Sequence, residues 1–110
     1  MKLKPLLPSL REKKRYLAFE VESNQEIGFD DAKKEIEATM KTLLGDLGMA
    51  QVGLLFLKDW KNQRGILRVN SKYVDHAKAS LALIKEIKGN RVAVRSIKVS
   101  GVLDKVRSCL

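Results

Sequence analysis

The chain has 110 residues, of which 45% are hydrophobic and 32% are charged. This length suits one small domain, and the composition is that of a folded globular protein and not of a disordered one. No apolar run approaches the roughly 18 to 20 residues that span a bilayer, so we expect neither a membrane segment nor a secretory signal. A single cysteine excludes an internal disulfide and a multi-thiolate metal site, which favours a reducing cytoplasm.

Lysine and arginine outnumber aspartate and glutamate by 22 to 13, which gives a net charge of +9. The excess is unevenly distributed, because residues 1–15 carry +5, residues 16–57 carry −5 and residues 58–110 carry +9. Such segregation predicts a positive field on one side of the domain, and a polyanion is the natural partner. Nucleic acid fits better than a membrane surface, because the sequence contains no basic amphipathic helix.

The first part of the chain consists of a segment that contains two prolines and a segment in which apolar and polar residues alternate. Residues 1–14 show no periodicity and contain two prolines, which predicts a basic N-terminal arm. A single domain is predicted for residues 15–110. It opens with residues 16–22, where apolar side chains stand at every second position, as in a half-buried strand.

An amphipathic helix is predicted after this strand. Asp30 or Asp31 is placed to cap its first turn, and Gly45 or Gly48 is placed to end it. Apolar residues recur at helical spacing between these limits, which predicts one buried stripe against the sheet. The stripe consists of Ala32, Ile36, Met40, Leu43, Leu44 and Leu47.

The next two apolar runs predict a hairpin. Residues 51–58 form a run of strand length and residues 64–70 alternate, so the polar residues 59–63 are expected to connect two strands. A second amphipathic helix is predicted to begin near Ser71 and to be terminated by Gly89.

Residues 91–100 are β-branched and alternating, which predicts a fourth strand, and a shift of the apolar phase around Ser96 predicts a bulge. The last apolar residues have the spacing of a short C-terminal helix. This order predicts an α+β, ferredoxin-like βαββαβ sandwich, in which two helices cover one face of a four-stranded antiparallel sheet. RNA-recognition motifs share that arrangement.

The sequence offers no recognisable catalytic constellation. His76 is the single histidine and follows Asp75, but adjacent helical residues point in different directions and do not form an acid–base pair. No nucleophile with a base, no metal-ligand spacing and no phosphate-binding glycine motif is recognisable. We therefore expect a binding protein with no catalytic site, metal or cofactor of its own.

The third predicted strand lacks the signature of an RNA-recognition motif. That motif places aromatic rings on the sheet so that bases stack on them. Residues 64–69 read RGILRV, so the basic residue and the glycine are present but the aromatic residues are absent. Phosphate contact is therefore expected instead of base stacking. The candidate RNA-binding residues are Lys13, Lys14, Arg15, Arg64, Arg68, Arg91, Arg95 and Lys98.

The sheet face away from the two helices is expected to carry more apolar surface than strands in water need. Exposed apolar surface of this kind usually marks an interaction site. We therefore predict self-association of the chain and a stable hetero-complex with a protein partner, which buries part of this face or the outer surface of a helix. Trp60 lies between two lysines, where its indole either meets a partner or covers the domain's own core edge. The candidate protein-interface residues are Leu55, Leu57, Trp60 and Ile66.

Four short segments carry a family resemblance. They read KKRYLAF at residues 13–19, RGILRV at residues 64–69, YVD at residues 73–75 and VSG at residues 99–101. With these segments in this order on these predicted elements, the chain resembles the ribonuclease P protein component 2 family in its archaeal form, which the eukaryotic nuclear enzymes share.

The resemblance implies an RNA-binding protein subunit of ribonuclease P, the enzyme that removes 5′ leaders from precursor tRNA. In that family the RNA subunit carries the chemistry with Mg²⁺. The implied partners are ribonuclease P RNA, precursor tRNA and ribonuclease P protein component 3. Two alternatives stay open from the residues alone: a ferredoxin-like module that binds a protein or a small ligand, and a general ribosome-associated RNA-binding protein.

Overall fold

The computed structural model describes residues 13–110, which form one antiparallel sheet with helices on both faces. The sheet has the strand order β2-β3-β1-β5-β4. The strands are β1 (Lys14–Ser23), β2 (Leu55–Lys61), β3 (Arg64–Asn70), β4 (Glu86–Ile87) and β5 (Asn90–Ser100). The helices are α1 (Phe29–Val52), α2 (Val74–Leu83) and α3 (Leu103–Arg107), and a 3-10 turn at Ser71–Tyr73 precedes α2.

The predicted α+β class and the C-terminal helix are confirmed. Most of the predicted arm, residues 1–14, lies outside the described residues; Lys14 already belongs to β1, one residue before the expected domain start. Within residues 13–110, no helix combines the length and the hydropathy that crossing a bilayer requires.

The strand β1 is buried on both faces. Leu17, Phe19 and Val21 point into the main core beneath α1 and α2, whereas Ala18 points to the opposite face, where α3 packs. This alternation is the period-2 pattern of a strand that is covered on each side. The close approach of β3 depends on Gly65, because a Cβ there would lie 2.8 Å from Cζ of Phe19.

The prediction that α1 ends at Gly45 or Gly48 is wrong. Gly45 has φ 73° and ψ 177°, which breaks the helix, but the chain resumes helical geometry and continues to Val52. Gly53, with φ 64°, is the residue that ends it. Leu43, before the break, and Leu47, after it, are 44% and 74% exposed, so neither is buried as the predicted stripe required.

The start of α1 also differs from the prediction. Gly28 occupies the N-cap position, and no side chain caps the helix there. Asp30 and Asp31 lie inside the first turn, where their negative charges interact favourably with the positive end of the helix dipole. Asp31 also pairs with Lys88 at 3.1 Å.

The predicted count of four strands is wrong, because the sheet has five. The helix α2 ends at Leu83 and Ile84 is already extended, with φ −77° and ψ 120°. Gly89 therefore does not terminate the helix. It lies with Lys88 in the turn between β4 and β5, where φ is 49° at Lys88 and 78° at Gly89. A two-residue hairpin turn with two positive φ values suits the twist of its strands, and it creates the extra strand β4.

The hairpin of β2 and β3 is confirmed with different limits. Residues 51 and 52 belong to α1, so β2 begins at Leu55, and the expected connection of residues 59–63 shrinks to a two-residue turn. Asn62 and Gln63 form that turn with φ 55° and 58°. The bulge predicted near Ser96 is also confirmed, because Ala18 pairs with Lys98 while Phe19 pairs with Ser96.

Candidate nucleic-acid interface

The register of the sheet brings most of the predicted RNA-binding residues to one face. Directly opposed residues on neighbouring strands project to the same side. Ala18, which faces α3, is opposite Lys98, and Glu20, two residues further along the same face, is opposite both Arg64 and Arg95. By the same alternation the face that carries α3 contains Arg64, Arg68, Arg91, Arg95 and Lys98, and we name it the basic sheet face.

Charge differs between the two sides of the domain. The helix α1 carries three basic and five acidic residues. The strand β5 carries three basic residues and no acidic one. Acidic residues therefore outnumber basic ones on α1, whereas β5, on the sheet, carries only basic charge.

The helix α3 covers part of the basic sheet face. Val106 is buried against Ala18 and Ile66. The guanidinium of Arg107 donates from Nε to Oδ2 of Asp59 at 2.9 Å. Nη1 of Arg64 donates to the carbonyl oxygen of Cys109 at 2.9 Å, so the chain beyond α3 is also held against the sheet.

The predicted protein-interface residues do not form one exposed patch. Ile66 is fully buried and Leu57 is partly buried in the cluster beneath α3, so Ile66 is not accessible to a partner. Trp60 lies on the other side of the sheet, with its ring centroid 6.1 Å from Phe19 and 5.6 Å from Phe29. Leu55 is the exposed member of the set. Trp60 therefore covers the edge of the core, which is the second of its two predicted roles.

Glu20 lies at the centre of the basic sheet face and binds two arginines. Its Oε2 accepts from Nε of Arg64 at 2.8 Å, and its Oε1 accepts from Nη2 of Arg95 at 2.8 Å. Arg95 also pairs with Glu22 at 2.6 Å. These contacts join β3, β1 and β5 by one continuous row of charges.

The environment of Glu20 favours its ionised form. Hydrogen bonds from Arg64 and then from Arg95 lower the pKa of the Glu20 carboxyl, and they outweigh the desolvation that would raise it. The Glu20 side chain is only 14% exposed, whereas that of Arg95 is 65% exposed. The hydrogen bond to Glu20 in turn raises the pKa of Arg95.

The other basic residues of this face differ in their exposure and in their contacts with neighbouring side chains. Arg91 and Lys98 are exposed and form no ion pair with another residue in the range 13–110. Nε of Arg68 is buried and has no hydrogen-bond partner among the described residues. Arg91 and Lys98 are thus the groups most available to a phosphate.

The three basic residues at the start of the described chain are not equivalent. Lys13 is exposed. Lys14 donates from Nζ to Oδ1 of Asn70, and Arg15 donates from Nη1 to the carbonyl oxygen of Lys14 at 3.0 Å. Lys14 therefore has a structural contact in addition to its predicted RNA-binding role.

No metal-binding cluster is evident in the part of the chain that the structure describes. Across residues 13–110, histidine, cysteine, aspartate and glutamate side chains do not gather in groups of three or more that could hold an ion. The ring of His76 lies beside that of Tyr73, with centroids 5.3 Å apart.

We predict that Glu20→Gln lowers the free energy of unfolding near pH 7 by about 1 kcal/mol, a value discounted for the partial exposure of the arginines. The folded-state pKa of Glu20 lies below its ordinary value of 4.5. Its contribution is therefore complete above that pH and is lost as the pH falls through the folded-state pKa. Urea unfolding of both proteins between about pH 7 and pH 3 should show the difference shrinking in acid.

The matched control for this experiment is Glu26→Gln, because Glu26 is exposed. This variant should follow the wild-type curve at every pH. If Glu20→Gln also followed that curve, the proposed contribution of the two arginine contacts to stability would be refuted.

Comparison with known proteins agrees with this fold and with the sequence resemblance. The sequence profile of the Rpp14/Pop5 family matches residues 15–110. The chain is 39% identical over 108 residues to ribonuclease P protein component 2 of Pyrococcus abyssi, covering 97% of this chain and 92% of that protein. It is 38% identical over 101 residues to the protein of the same name from Methanosarcina mazei, covering 92% and 86%.

A solved structure is also similar in fold. A chain in the cryo-EM structure of yeast ribonuclease MRP superposes with a TM-score of 0.68 at 17% identity, covering 84% of this chain and 77% of that one. On the match of the family profile and the identity with these relatives, the chain belongs to the Rpp14/Pop5 family.

Proposed function

We propose that this chain is an RNA-binding protein subunit of ribonuclease P. The observation that carries the proposal is its similarity, over nearly the whole chain, to proteins named ribonuclease P protein component 2. The basic sheet face supports an RNA partner, because concentrated positive charge supplies most of the affinity for a phosphate backbone.

The architecture supports a ferredoxin-like relationship with RNA-recognition motifs. The four longer strands lie in the order β2-β3-β1-β5, and β4 extends the sheet beyond them. The main core is shared by the sheet with α1 and α2. On the opposite face α3 packs where an RNA-recognition motif would display its aromatic rings. This arrangement favours contacts to phosphates over stacking on bases.

In the ribonuclease P complex that we propose, this chain would bind RNA and would not carry out the chemical step. Ribonuclease P would act as an endonuclease that removes 5′ leaders from precursor tRNA. The RNA subunit would carry the chemistry with Mg²⁺, and this chain would bind no metal of its own. Its RNA partners would be ribonuclease P RNA and precursor tRNA. A module for a small ligand would have no use for exposed basic residues such as Arg91 and Lys98 along one strand.

We predict that Arg91→Ala combined with Lys98→Ala weakens binding to ribonuclease P RNA. Each phosphate contact contributes about 0.7 to 0.9 to the slope of log K against log salt, so losing two should flatten the slope by roughly 1.5. The binding constant should be measured at several salt concentrations. Lys34→Ala with Lys78→Ala is the matched control, because it removes two exposed lysines from α1 and α2. Equal flattening by both pairs would contradict the assignment of RNA to the basic sheet face.

We propose that ribonuclease P protein component 3 docks on the outer surface of the helices. Leu43 and Leu83 are 44% and 58% exposed, and both line a shallow groove with Thr39 and Thr42. Exposed apolar side chains that share one groove suit a partner contact better than scattered ones do. Of the two surfaces expected from the sequence, the sheet face is the weaker candidate, because Leu57 and Ile66 pack beneath α3.

We predict that Leu83→Glu weakens the complex with component 3 by at least tenfold, because a charge would enter a desolvated apolar contact. Leu55→Glu is the control, since Leu55 is 46% exposed but lies on the sheet. Analytical ultracentrifugation of each variant, with and without component 3, measures both hetero-complex formation and self-association. If Leu55→Glu disrupted the complex while Leu83→Glu did not, the sheet face would be the interface.

A further inference from the structure

Two of the predicted RNA-binding arginines are already occupied by acidic residues of the same face. Arg64 and Arg95 lie on the strands that flank β1, and Glu20 of β1 holds both at 2.8 Å. Glu22 holds Arg95 a second time at 2.6 Å. A phosphate that approaches this face therefore meets Arg91 and Lys98 as exposed charges, whereas at Arg64 and Arg95 it competes with carboxylates that already neutralise the guanidinium groups.

The ion pair between Arg95 and Glu22 contributes little to stability, and this points to another role. The side chains of Arg95 and Glu22 are 65% and 50% exposed. Exposed pairs of this kind are screened by solvent and salt and are worth little in folding. The acids do, however, change what the face offers to a polyanion, because each carboxylate cancels a positive charge at short range.

We propose that Glu20 and Glu22 are specificity-determining residues of the basic sheet face. They hold Arg64 and Arg95 in internal ion pairs and so suppress binding to RNA in general. An RNA whose shape brings phosphates close to both arginines can replace the carboxylates, whereas an RNA that offers only diffuse charge cannot. Specificity then arises partly from weakening the wrong complexes. This inference rests on the proposed RNA-binding function.

The test compares Glu20→Gln/Glu22→Gln with Glu35→Gln/Glu37→Gln in the full chain. Both double variants raise the net charge by two, but Glu35 and Glu37 belong to α1, on the other side of the sheet. Binding to ribonuclease P RNA and to an unrelated folded RNA of the same length is measured at several salt concentrations. Circular dichroism melting checks that each variant is folded.

We expect the double variant of Glu20 and Glu22 to bind the unrelated RNA more tightly. Each additional ion pair with a phosphate is worth roughly fourfold to sixfold in affinity at about 0.15 M salt, so two released arginines should give roughly 16-fold to 36-fold. The salt slope should steepen by roughly 1.5. The affinity for ribonuclease P RNA should rise less, so the ratio of the two affinities falls. The α1 variant should leave that ratio unchanged.

Other outcomes overturn the inference. Equal increases in affinity for both double variants would show a general effect of net charge, and weaker binding to both RNAs would show that the acids position the arginines for RNA. If the double variant did not fold, Glu22→Gln alone should still raise affinity for the unrelated RNA about twofold to fourfold, less than one full phosphate ion pair, and no rise would refute the inference. Wild-type protein that bound neither RNA in a salt-dependent way would refute the proposed function itself.

Discussion

The structure depends on the burial of β1 on both of its faces. One set of alternate residues, including Leu17 and Phe19, enters the main core with α1 and α2, and Ala18 of the other set enters the smaller cluster beneath α3. A shift of one residue in pairing would exchange the two sets, so the register is strongly specified. Because that register is fixed, Glu20 is always placed between Arg64 and Arg95.

This constraint separates two surfaces with different chemistry. The helices present exposed leucines and an acidic α1, which suit a protein partner. The opposite face presents the basic residues of β3 and β5, which suit a phosphate backbone. The helix α3 is held on the sheet in two ways. Val106 is buried in the small cluster with Ala18 and Ile66, and the guanidinium of Arg107 donates to the carboxylate of Asp59. A thin domain can thus offer one side to RNA and the other to protein.

Periodicity in the sequence predicted the elements that are long and regular. The strands β1, β3 and β5 and the helices α1 and α2 all occur where alternation or helical spacing placed them. The errors lie at glycines. Gly45 breaks α1 without ending it, and Gly89 makes a hairpin turn instead of a helix end. A glycine permits a positive φ in either context, and the neighbouring packing decides which is used.

The candidate RNA-binding residues could be selected from charge, but their partners could not. Arg64 and Arg95 are 31 positions apart in the chain, and each is opposed to Glu20 only through strand pairing. Glu20 itself was not a candidate, because an acidic residue on an alternating strand has no distinctive sequence signal. Likewise, the apolar residues Leu57 and Ile66 were expected at the surface because the extent of cover by a short helix depends on where it docks.

We expect RNA to bind the face of the sheet opposite α1. Lysine acetylation of the full chain, read by mass spectrometry with and without ribonuclease P RNA, tests it most directly. Lys61 is opposite Arg64 and so lies, like Lys98, on the basic sheet face, whereas Lys34 and Lys78 belong to α1 and α2. We predict that RNA protects Lys61 and Lys98 and leaves the two helix lysines reactive. Protection of Lys34 and Lys78, with Lys61 and Lys98 still reactive, would show that RNA binds the helices instead.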